Sequence, residues 1–289
     1  MKLCLGTVQF GLNYGIENKQ IEINEIDKIL TTALKKGITI LDTAQNYGNS
    51  EKLIGNFKER ERFRIISKIS STSLKDATSL EELKELLKKS LNNLKISCLD
   101  GLLLHKPEDL NNELFLYNLI TLKKEGYFLN LGISIYSTDE AIRALEFENI
   151  KYIQIPYNIL DTRLDKVDFF NKAKEKNKIL FARSIFLQGT LLKEHSKYPY
   201  FLNELKKFDR IIKDESVKLR STKLEFLINF IKSNKKIDYI VIGIDSLENL
   251  LEIINAYNYE GLENYNYEKF RDQFKNISEN ILNPSLWGK

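Results

Sequence analysis

The sequence of 289 residues is poor in the residues that bind metals or form disulfides. Its two cysteines, Cys4 and Cys98, lie in apolar, strand-like segments, where a buried free thiol is more common than a disulfide. Its two histidines, His105 and His195, are far apart and have no cysteine or acidic residue at a ligand-like spacing. We therefore predict no metal site and expect the reducing environment of the cytoplasm.

Long apolar runs and a one-sided charge are also missing. No segment approaches the roughly 18 apolar residues that cross a bilayer, and the apolar start breaks at Gly6 before the core of a signal peptide could form. The 44 basic and 40 acidic residues are interspersed, and their net charge is +4. We therefore expect neither a membrane partner nor a nucleic-acid partner. Nothing in the pattern defines an oligomeric state.

No segment rich in proline, glycine or serine divides the chain, so we expect a single domain over residues 1–289. Apolar strand-like runs alternate with amphipathic segments from end to end. The predicted strands are Lys2–Leu5, Ile38–Leu41, Arg64–Ser67, Leu99–Leu104, Asn130–Ile133, Tyr152–Ile155, Ile179–Ala182 and Tyr239–Ile242. The predicted helices are Asn24–Lys36, Ser50–Phe57, Leu80–Leu94, Asn112–Lys124, Thr138–Phe147, Asp168–Lys176, Ser221–Ser233 and Leu247–Ala256.

Eight strand–helix units predict an α/β fold with a parallel sheet, and in this length they fit a closed (β/α)8 TIM barrel. An open dinucleotide-binding sheet would carry G-x-G-x-x-G after its first strand, and residues 6–11, GTVQFG, do not supply three glycines at that spacing. The longest irregular region, Gln188–Lys218, is predicted to be an extended loop over the active-site face. The aromatic-rich tail, Tyr257–Lys289, either packs on the barrel or leans over the pocket.

Four protonatable side chains lie at or just after the ends of successive predicted strands. Asp42 ends the second strand and Tyr47 follows in the next loop, while Lys68 and His105 end the third and fourth strands. Barrel enzymes place their catalytic groups at this rim. Considered singly, Tyr47 would be interpreted as a packing residue and Lys68 as a surface cation. Asp42 would be interpreted as a turn residue and His105 as a core residue. Their joint placement indicates a catalytic site.

The sequence resembles the aldo-keto reductase family along nearly its whole length. Residues 41–44, LDTA, with residues 47–51, YGNSE, are similar to the family's aspartate–tyrosine signature. Residues 66–68, ISK, and 103–105, LLH, resemble its lysine and histidine strands. The resemblance implies NADPH or NADH as the cofactor and a catalytic tetrad of Asp42, Tyr47, Lys68 and His105.

Later segments are similar to the family's cofactor site. The resemblance implies that Ser134 and Gln154 hold the nicotinamide carboxamide. Ile135 stands where the family usually has asparagine, and Arg183 stands about where many members stack an aromatic ring on the nicotinamide. The other cofactor contacts that the family pattern implies are Gly6, Thr7, Asp42, Ser184, Gly243, Asp245, Ser246 and Asn249.

Chemistry explains why these residue types suit carbonyl reduction. A carbonyl that accepts a hydride develops negative charge on its oxygen, which must be protonated or hydrogen-bonded. We expect Tyr47 to donate the proton, Lys68 to lower the tyrosine pKa, and Asp42 to hold the lysine. His105 would orient the carbonyl oxygen. The expected substrate is a small aldehyde or ketone, and a likeness to bacterial members linked to sugar and surface-polysaccharide metabolism adds a sugar-derived carbonyl as a candidate.

The segment after the eighth strand predicts weak discrimination in favour of NADPH. In NADPH-selective members, basic side chains here hold the 2′-phosphate, but the matching positions are Ile244 or Asp245, and Asn249. Asp245 and Glu248 would repel that phosphate. Selectivity for NADPH would require other groups to hold the 2′-phosphate. The candidates are Ser246 and the backbone amides at the start of the next helix, or a basic side chain from the preceding segment: Lys218, Arg220 or Lys223.

Two other classes of function remain open from the sequence. A catalytically silent barrel could bind nicotinamide and regulate a partner, although it would not need Lys68 and His105 together. A different barrel enzyme could be a phosphate-binding isomerase, or an aldolase that forms a Schiff base on Lys68. The isomerase would carry a glycine-rich phosphate loop, which residues 242–246, IGIDS, match only thinly.

Overall fold

Eight parallel strands pair in chain order and close through contact between the first and the last. The computed structural model describes residues 1–76, 79–274 and 277–287. The predicted (β/α)8 barrel is confirmed. The strands are β1 Lys2–Gly6, β2 Ile40–Asp42, β3 Arg64–Ile69, β4 Leu99–Leu104, β5 Phe128–Ser134, β6 Ile150–Pro156, β7 Ile179–Arg183 and β8 Tyr239–Gly243.

The helices surround this barrel with their apolar faces turned inward. In the helix Ile23–Lys35, for example, five apolar residues are buried at the spacing of one helical face: Ile26, Ile29, Leu30, Ala33 and Leu34. None of the helices in the described part of the chain has the length and apolarity needed to span a bilayer. The helices are α1 Val8–Gly11, α2 Ile23–Lys35, α3 Ser50–Asn56, α4 Leu80–Leu94, α5 Glu113–Lys124, α6 Thr138–Glu146, α7 Phe169–Glu175, α8 Leu205–Lys218, α9 Lys223–Ser233, α10 Leu247–Tyr257, α11 Tyr267–Arg271 and α12 Glu279–Leu282.

The predicted loop Gln188–Lys218 is wrong in its second half, which forms helix α8. Leu205, Phe208 and Ile212 are buried along one face of that helix, at spacings of three and four residues. The density of charged residues between them masked this pattern. The first half of the segment remains a loop with short 3₁₀ turns.

The aromatic tail both packs on the barrel and reaches the pocket, the two alternatives that the sequence left open. Tyr265, Tyr267 and Phe270 pack against Phe226 of α9, while Trp287 lines the cavity at the barrel mouth. Residues 275–276 and 288–289 of the predicted tail lie outside the described residues.

Side chains fill the barrel interior and close its lower end. A cluster within the barrel contains Cys4, Tyr152 and Phe181, among others. Below it, Arg64 donates hydrogen bonds of 2.8 and 3.1 Å to Asp100, and Tyr152 donates one of 3.0 Å to the same carboxylate. Because these contacts close the lower end, a ligand has access from the carboxyl ends of the strands.

Both cysteines are free. Cys98 lies just before β4 and is only partly buried, so the predicted burial holds for Cys4 alone.

Candidate active site

A cavity of about 720 Å³ opens at the carboxyl ends of the barrel strands. This volume lies within the usual range for a small-molecule site, roughly 300–1,000 Å³. Its walls include Gly6 of β1, Gln154 of β6 and Gly243 of β8. The four side chains of the predicted tetrad also line it: Asp42, Tyr47, Lys68 and His105.

A buried ion pair lies at the base of this cavity. Lys68, the penultimate residue of β3, donates a 2.6 Å hydrogen bond from Nζ to Oδ2 of Asp42 and a 3.0 Å bond to the Thr43 carbonyl. Gln154 donates a 2.9 Å bond to the other carboxylate oxygen. Lys68 and Asp42 are 2% and 4% exposed. Charges as buried as these persist only when paired and hydrogen-bonded.

Tyr47 is placed by a tight loop between β2 and α3. Gly11 packs so closely on this loop that a Cβ there would lie 1.9 Å from the Tyr47 carbonyl oxygen. The hydroxyl of Ser50, the first residue of α3, lies 2.9 Å from both the carbonyl oxygen and the hydroxyl oxygen of Thr7 and shares its proton with them, which ties the end of the loop to the residue after β1. The Lys68 ammonium lies 5.1 Å from the centre of the Tyr47 ring. The His105 ring centre is 6.0 Å from that ring, in an edge-on arrangement.

Burial sets the protonation of the tyrosine and of the histidine. It raises the pKa of the Tyr47 hydroxyl well above its ordinary value, and the Asp42 carboxylate adds to the rise. The prediction that Lys68 lowers this pKa is therefore wrong in direction, because burial dominates and the charge that lowers the pKa is that of Arg183. Burial, with the charges of Lys68 and Arg183, lowers the pKa of His105 to about 3. At neutral pH the tyrosine is therefore protonated and the histidine neutral.

Arg183, the last residue of β7, is fixed by uncharged acceptors. Its Nε donates to Ser134 Oγ at 3.2 Å, one terminal nitrogen to Ser184 Oγ at 3.2 Å, and the other to the Ile135 carbonyl at 2.7 Å. The guanidinium carbon lies 4.3 Å from the centre of the Tyr136 ring. The position where the family often has an aromatic ring thus holds a cation.

The structure brings the predicted cofactor residues to this cavity, apart from Ser246. The Ser246 hydroxyl caps α10 by accepting the Asn249 N–H at 3.1 Å, and Ser246 does not line the cavity. The predicted residues that do line it are Gly6, Thr7, Asp42, Ser134, Gln154, Arg183, Ser184, Gly243, Asp245 and Asn249.

The start of α10 is occupied by an acidic side chain. Glu25 of α2 accepts a 2.7 Å hydrogen bond from the Leu247 N–H, the first amide of the helix. Asp245 also faces the cavity here. The basic side chains that could have reached over are engaged elsewhere: Lys218 pairs with Glu215, and Lys223 with Asp209. Neither of them lines the cavity, and nor does Arg220.

Several lining residues were not predicted from the sequence. Tyr14, Glu17, Tyr136 and Lys193 come from loops at the mouth. Tyr136 could have been found, because it lies two residues after Ser134 at the end of the same strand. Lys193 lies in the segment predicted to cover the active-site face. Tyr14 and Glu17 had no such signal, because their approach depends on tertiary contacts such as the 2.9 Å ion pair between Lys193 and Glu17.

Fold and site together define a TIM-type barrel with a buried lysine–aspartate pair, a protonated tyrosine and a neutral histidine at its mouth. The model of the Aldo/keto reductase family matches residues 2–272. The chain belongs to this family, as its sequence predicted.

Comparisons with individual proteins agree with this assignment. The chain is 29% identical over 171 residues to the aldo-keto reductase str7 of Strobilurus tenacellus, a match that covers 57% of this chain and 51% of the relative. It is 31% identical over 153 residues to the methylglyoxal reductase DkgB of Escherichia coli O157:H7, covering 49% of this chain and 55% of the relative. The matched stretches thus span about half the length of each relative.

Two solved structures share the fold. An aldo-keto reductase from Bacillus halodurans in its holo form has a TM-score of 0.73 and 21% identity, over 93% of this chain and 91% of that one. An aldo/keto reductase from Klebsiella pneumoniae, in complex with NADP and acetate, has a TM-score of 0.70 and 17% identity, over 93% and 90%. At these identities the likeness shows the fold alone.

Proposed function

We propose that this chain is an NAD(P)H-dependent oxidoreductase that reduces an aldehyde or ketone to an alcohol, with residues 1–289 acting as one barrel domain. The observation that carries the proposal is the buried Lys68–Asp42 pair beside Tyr47 and His105 in one cavity. When bound, the nicotinamide cofactor supplies the hydride, and the protein supplies position and charge.

The cavity offers groups that complement such a cofactor. Ser134 accepts a bond from Arg183 and keeps its own hydroxyl proton to donate. Gln154 uses Nε2 to bind Asp42, which leaves its carbonyl oxygen as an acceptor. Together they match a carboxamide, because the Ser134 hydroxyl can donate to its carbonyl oxygen and the Gln154 carbonyl can accept from its NH2 group. A Cβ on Gly243 would meet no atom closer than 3.9 Å, so the backbone there is open to a diphosphate. The NADP in the similar Klebsiella pneumoniae structure supports this cofactor class.

Proton transfer is assigned to Tyr47. Its raised pKa keeps the hydroxyl protonated at neutral pH, and the alkoxide formed from a carbonyl is a stronger base than a phenolate, so the transfer is favourable. The Lys68 ammonium, 5.1 Å from the ring centre, stabilises the phenolate that remains. Asp42 holds that ammonium in place. Neutral His105 has one ring N–H, which it can donate to the carbonyl oxygen.

Replacing the tyrosine tests this assignment. We expect Tyr47→Phe to bind the cofactor as the wild type does and to lose about two to four orders of magnitude in turnover, because a positioned general acid contributes that much. Tyr265→Phe is the matched control, because it removes a hydroxyl that binds Glu215 outside the cavity. Cofactor fluorescence measures binding, and nicotinamide absorbance over a panel of aldehydes measures turnover.

Three outcomes would contradict the proposal in different ways. Near-normal turnover in Tyr47→Phe would show that another group donates the proton. A wild type that binds the cofactor but reduces no carbonyl would favour the silent nicotinamide-binding barrel. Trapping of a ketone on Lys68 by borohydride would favour the aldolase, although the lysine is held by Asp42.

A further inference from the structure

The charges that line the cavity are equal in number but are not all paired. Six side chains of Asp, Glu, Lys or Arg line it. Lys68 is paired with Asp42 at 2.6 Å, and a second lysine, Lys193, with Glu17 at 2.9 Å. The other two are Asp245, whose carboxylate accepts a hydrogen bond from Ser246, and Arg183. Among the described residues, Arg183 is the cavity cation without a carboxylate partner.

The Arg183 guanidinium retains donors for a ligand. A guanidinium has five N–H groups, and three of them donate to Ser134, Ser184 and the Ile135 carbonyl. The other two have no acceptor among the described residues. Its three bonds and the Tyr136 ring below it fix the plane of the group. A rigid, partly buried guanidinium with two free N–H groups suits a carboxylate, which accepts two parallel hydrogen bonds.

Arg183 lies near the reacting groups rather than at the outer wall. It donates to Ser134, the strand partner of Gln154, which in turn donates to Asp42. The charge of Arg183 also lowers the pKa of both His105 and Tyr47. An anion on Arg183 would therefore share the cavity with a carbonyl at Tyr47. The phosphates of a dinucleotide have their own place at Gly243, on the neighbouring strand β8.

We infer that Arg183 binds a carboxylate of the substrate, so that the preferred substrate is an aldehyde or ketone that also carries a carboxylate. This inference rests on the proposed reductase function. In it the carbonyl oxygen faces Tyr47 and His105, and the carboxylate faces the two free N–H groups of Arg183. Arg183 then determines specificity, while Tyr47 donates the proton.

The test compares charged and uncharged substrates of equal length. We would measure kcat/KM for a series of ω-oxo carboxylates and their methyl esters in the wild type, Arg183→Met, Arg183→Lys and Lys106→Met. Lys106 is the matched control, because its charge also lowers the pKa of His105 but its side chain is exposed and does not line the cavity.

We expect the wild type to prefer the best carboxylate over its ester by tenfold or more, about 1.4 kcal/mol. The ratio should fall to near one in Arg183→Met, take an intermediate value in Arg183→Lys, and stay unchanged in Lys106→Met. A ratio near one in the wild type, or a full preference that persists in Arg183→Met, would overturn the inference. So would a loss of cofactor affinity in Arg183→Met without any change in the ratio.

A binding measurement separates this inference from the proposed function. Absence of turnover with every aldehyde would refute the reductase, and calorimetry with butyrate and butyramide would still test the anion site. Butyrate that binds more tightly than butyramide in the wild type, but not in Arg183→Met, would support the site. Equal binding of the two probes would overturn it.

Discussion

Removing one member of the Lys68–Asp42 pair leaves the other charge buried and alone. At 2.6 Å and an effective dielectric of about 20, the attraction is roughly 6 kcal/mol. Desolvation of two ions costs several kcal/mol each, so the intact pair contributes little net stability. Loss of one partner is different: Asp42→Asn removes the counter-charge and leaves the ammonium with neutral carbonyl acceptors such as that of Thr43. We expect a loss of about 3–5 kcal/mol in the free energy of unfolding.

A double-mutant cycle in urea measures this coupling. Asp42→Asn and Lys68→Met should each lower the free energy of unfolding by about 3–5 kcal/mol. The double variant should be close to the wild type, because it buries no charge. The surface pair of Lys84 and Glu125 is the control, since its 2.7 Å contact is similar but its side chains are 27% and 38% exposed. There each single change should cost at most about 1 kcal/mol.

Additive effects would refute this reasoning. If the double variant lost as much as the two single variants together, the pair would not be energetically coupled. If Asp42→Asn cost no more than removal of Glu125, the ammonium would be solvated in solution rather than buried.

The structure leads to three further predictions. Because burial holds the pKa of His105 near 3, the unfolded chain binds a proton that the folded chain does not; stability contributed by neutral His105 is therefore lost as pH falls from about 6.5 towards 3. His105→Gln should reduce the slope of unfolding free energy against pH in that window, and an unchanged slope would contradict the burial. Gly11→Ala should displace the Tyr47 loop, since its Cβ would lie 1.9 Å from a carbonyl oxygen; we expect lower turnover than stability loss alone explains, and normal turnover would disprove the close packing. Finally, titration of both cofactors at one salt concentration should show weak discrimination, because Glu25 and Asp245 occupy the α10 start; a preference for NADPH of a hundredfold, about 2.7 kcal/mol, would refute it.

Alternation of apolar runs with amphipathic segments was enough to predict the barrel. The predicted β4 and α4 match the structure in both bounds, and the other predicted strands differ from it by at most two residues at either end. Strand ends are also where the sequence could place side chains reliably, because the rim of a barrel follows from the register. Asp42, Lys68 and His105 therefore lie where the pattern placed them.

Features that depend on tertiary contacts could not be predicted. Glu25 lies far from α10 in the sequence, and only the folded barrel brings its carboxylate to the Leu247 amide. The sequence placed Ser246 at the cofactor, but it did not show that the hydroxyl caps α10, where it accepts a bond from an amide that would otherwise lack a partner. The tyrosine pKa was expected to fall because charges alone were considered, whereas burial has the larger effect.

The pairing of β1 with β8 has a consequence for how the protein is made. Lys2 pairs with Tyr239, and Gly6 with Gly243, so the first strand waits for a partner from the far end of the chain. At typical synthesis rates of about 5–20 residues per second, this wait lasts roughly 10–50 s on the ribosome. During that time the growing sheet has two open edges, the usual starting points of aggregation. Because Gly6 and Gly243 both line the cavity, the pocket is complete only when β1 and β8 have paired.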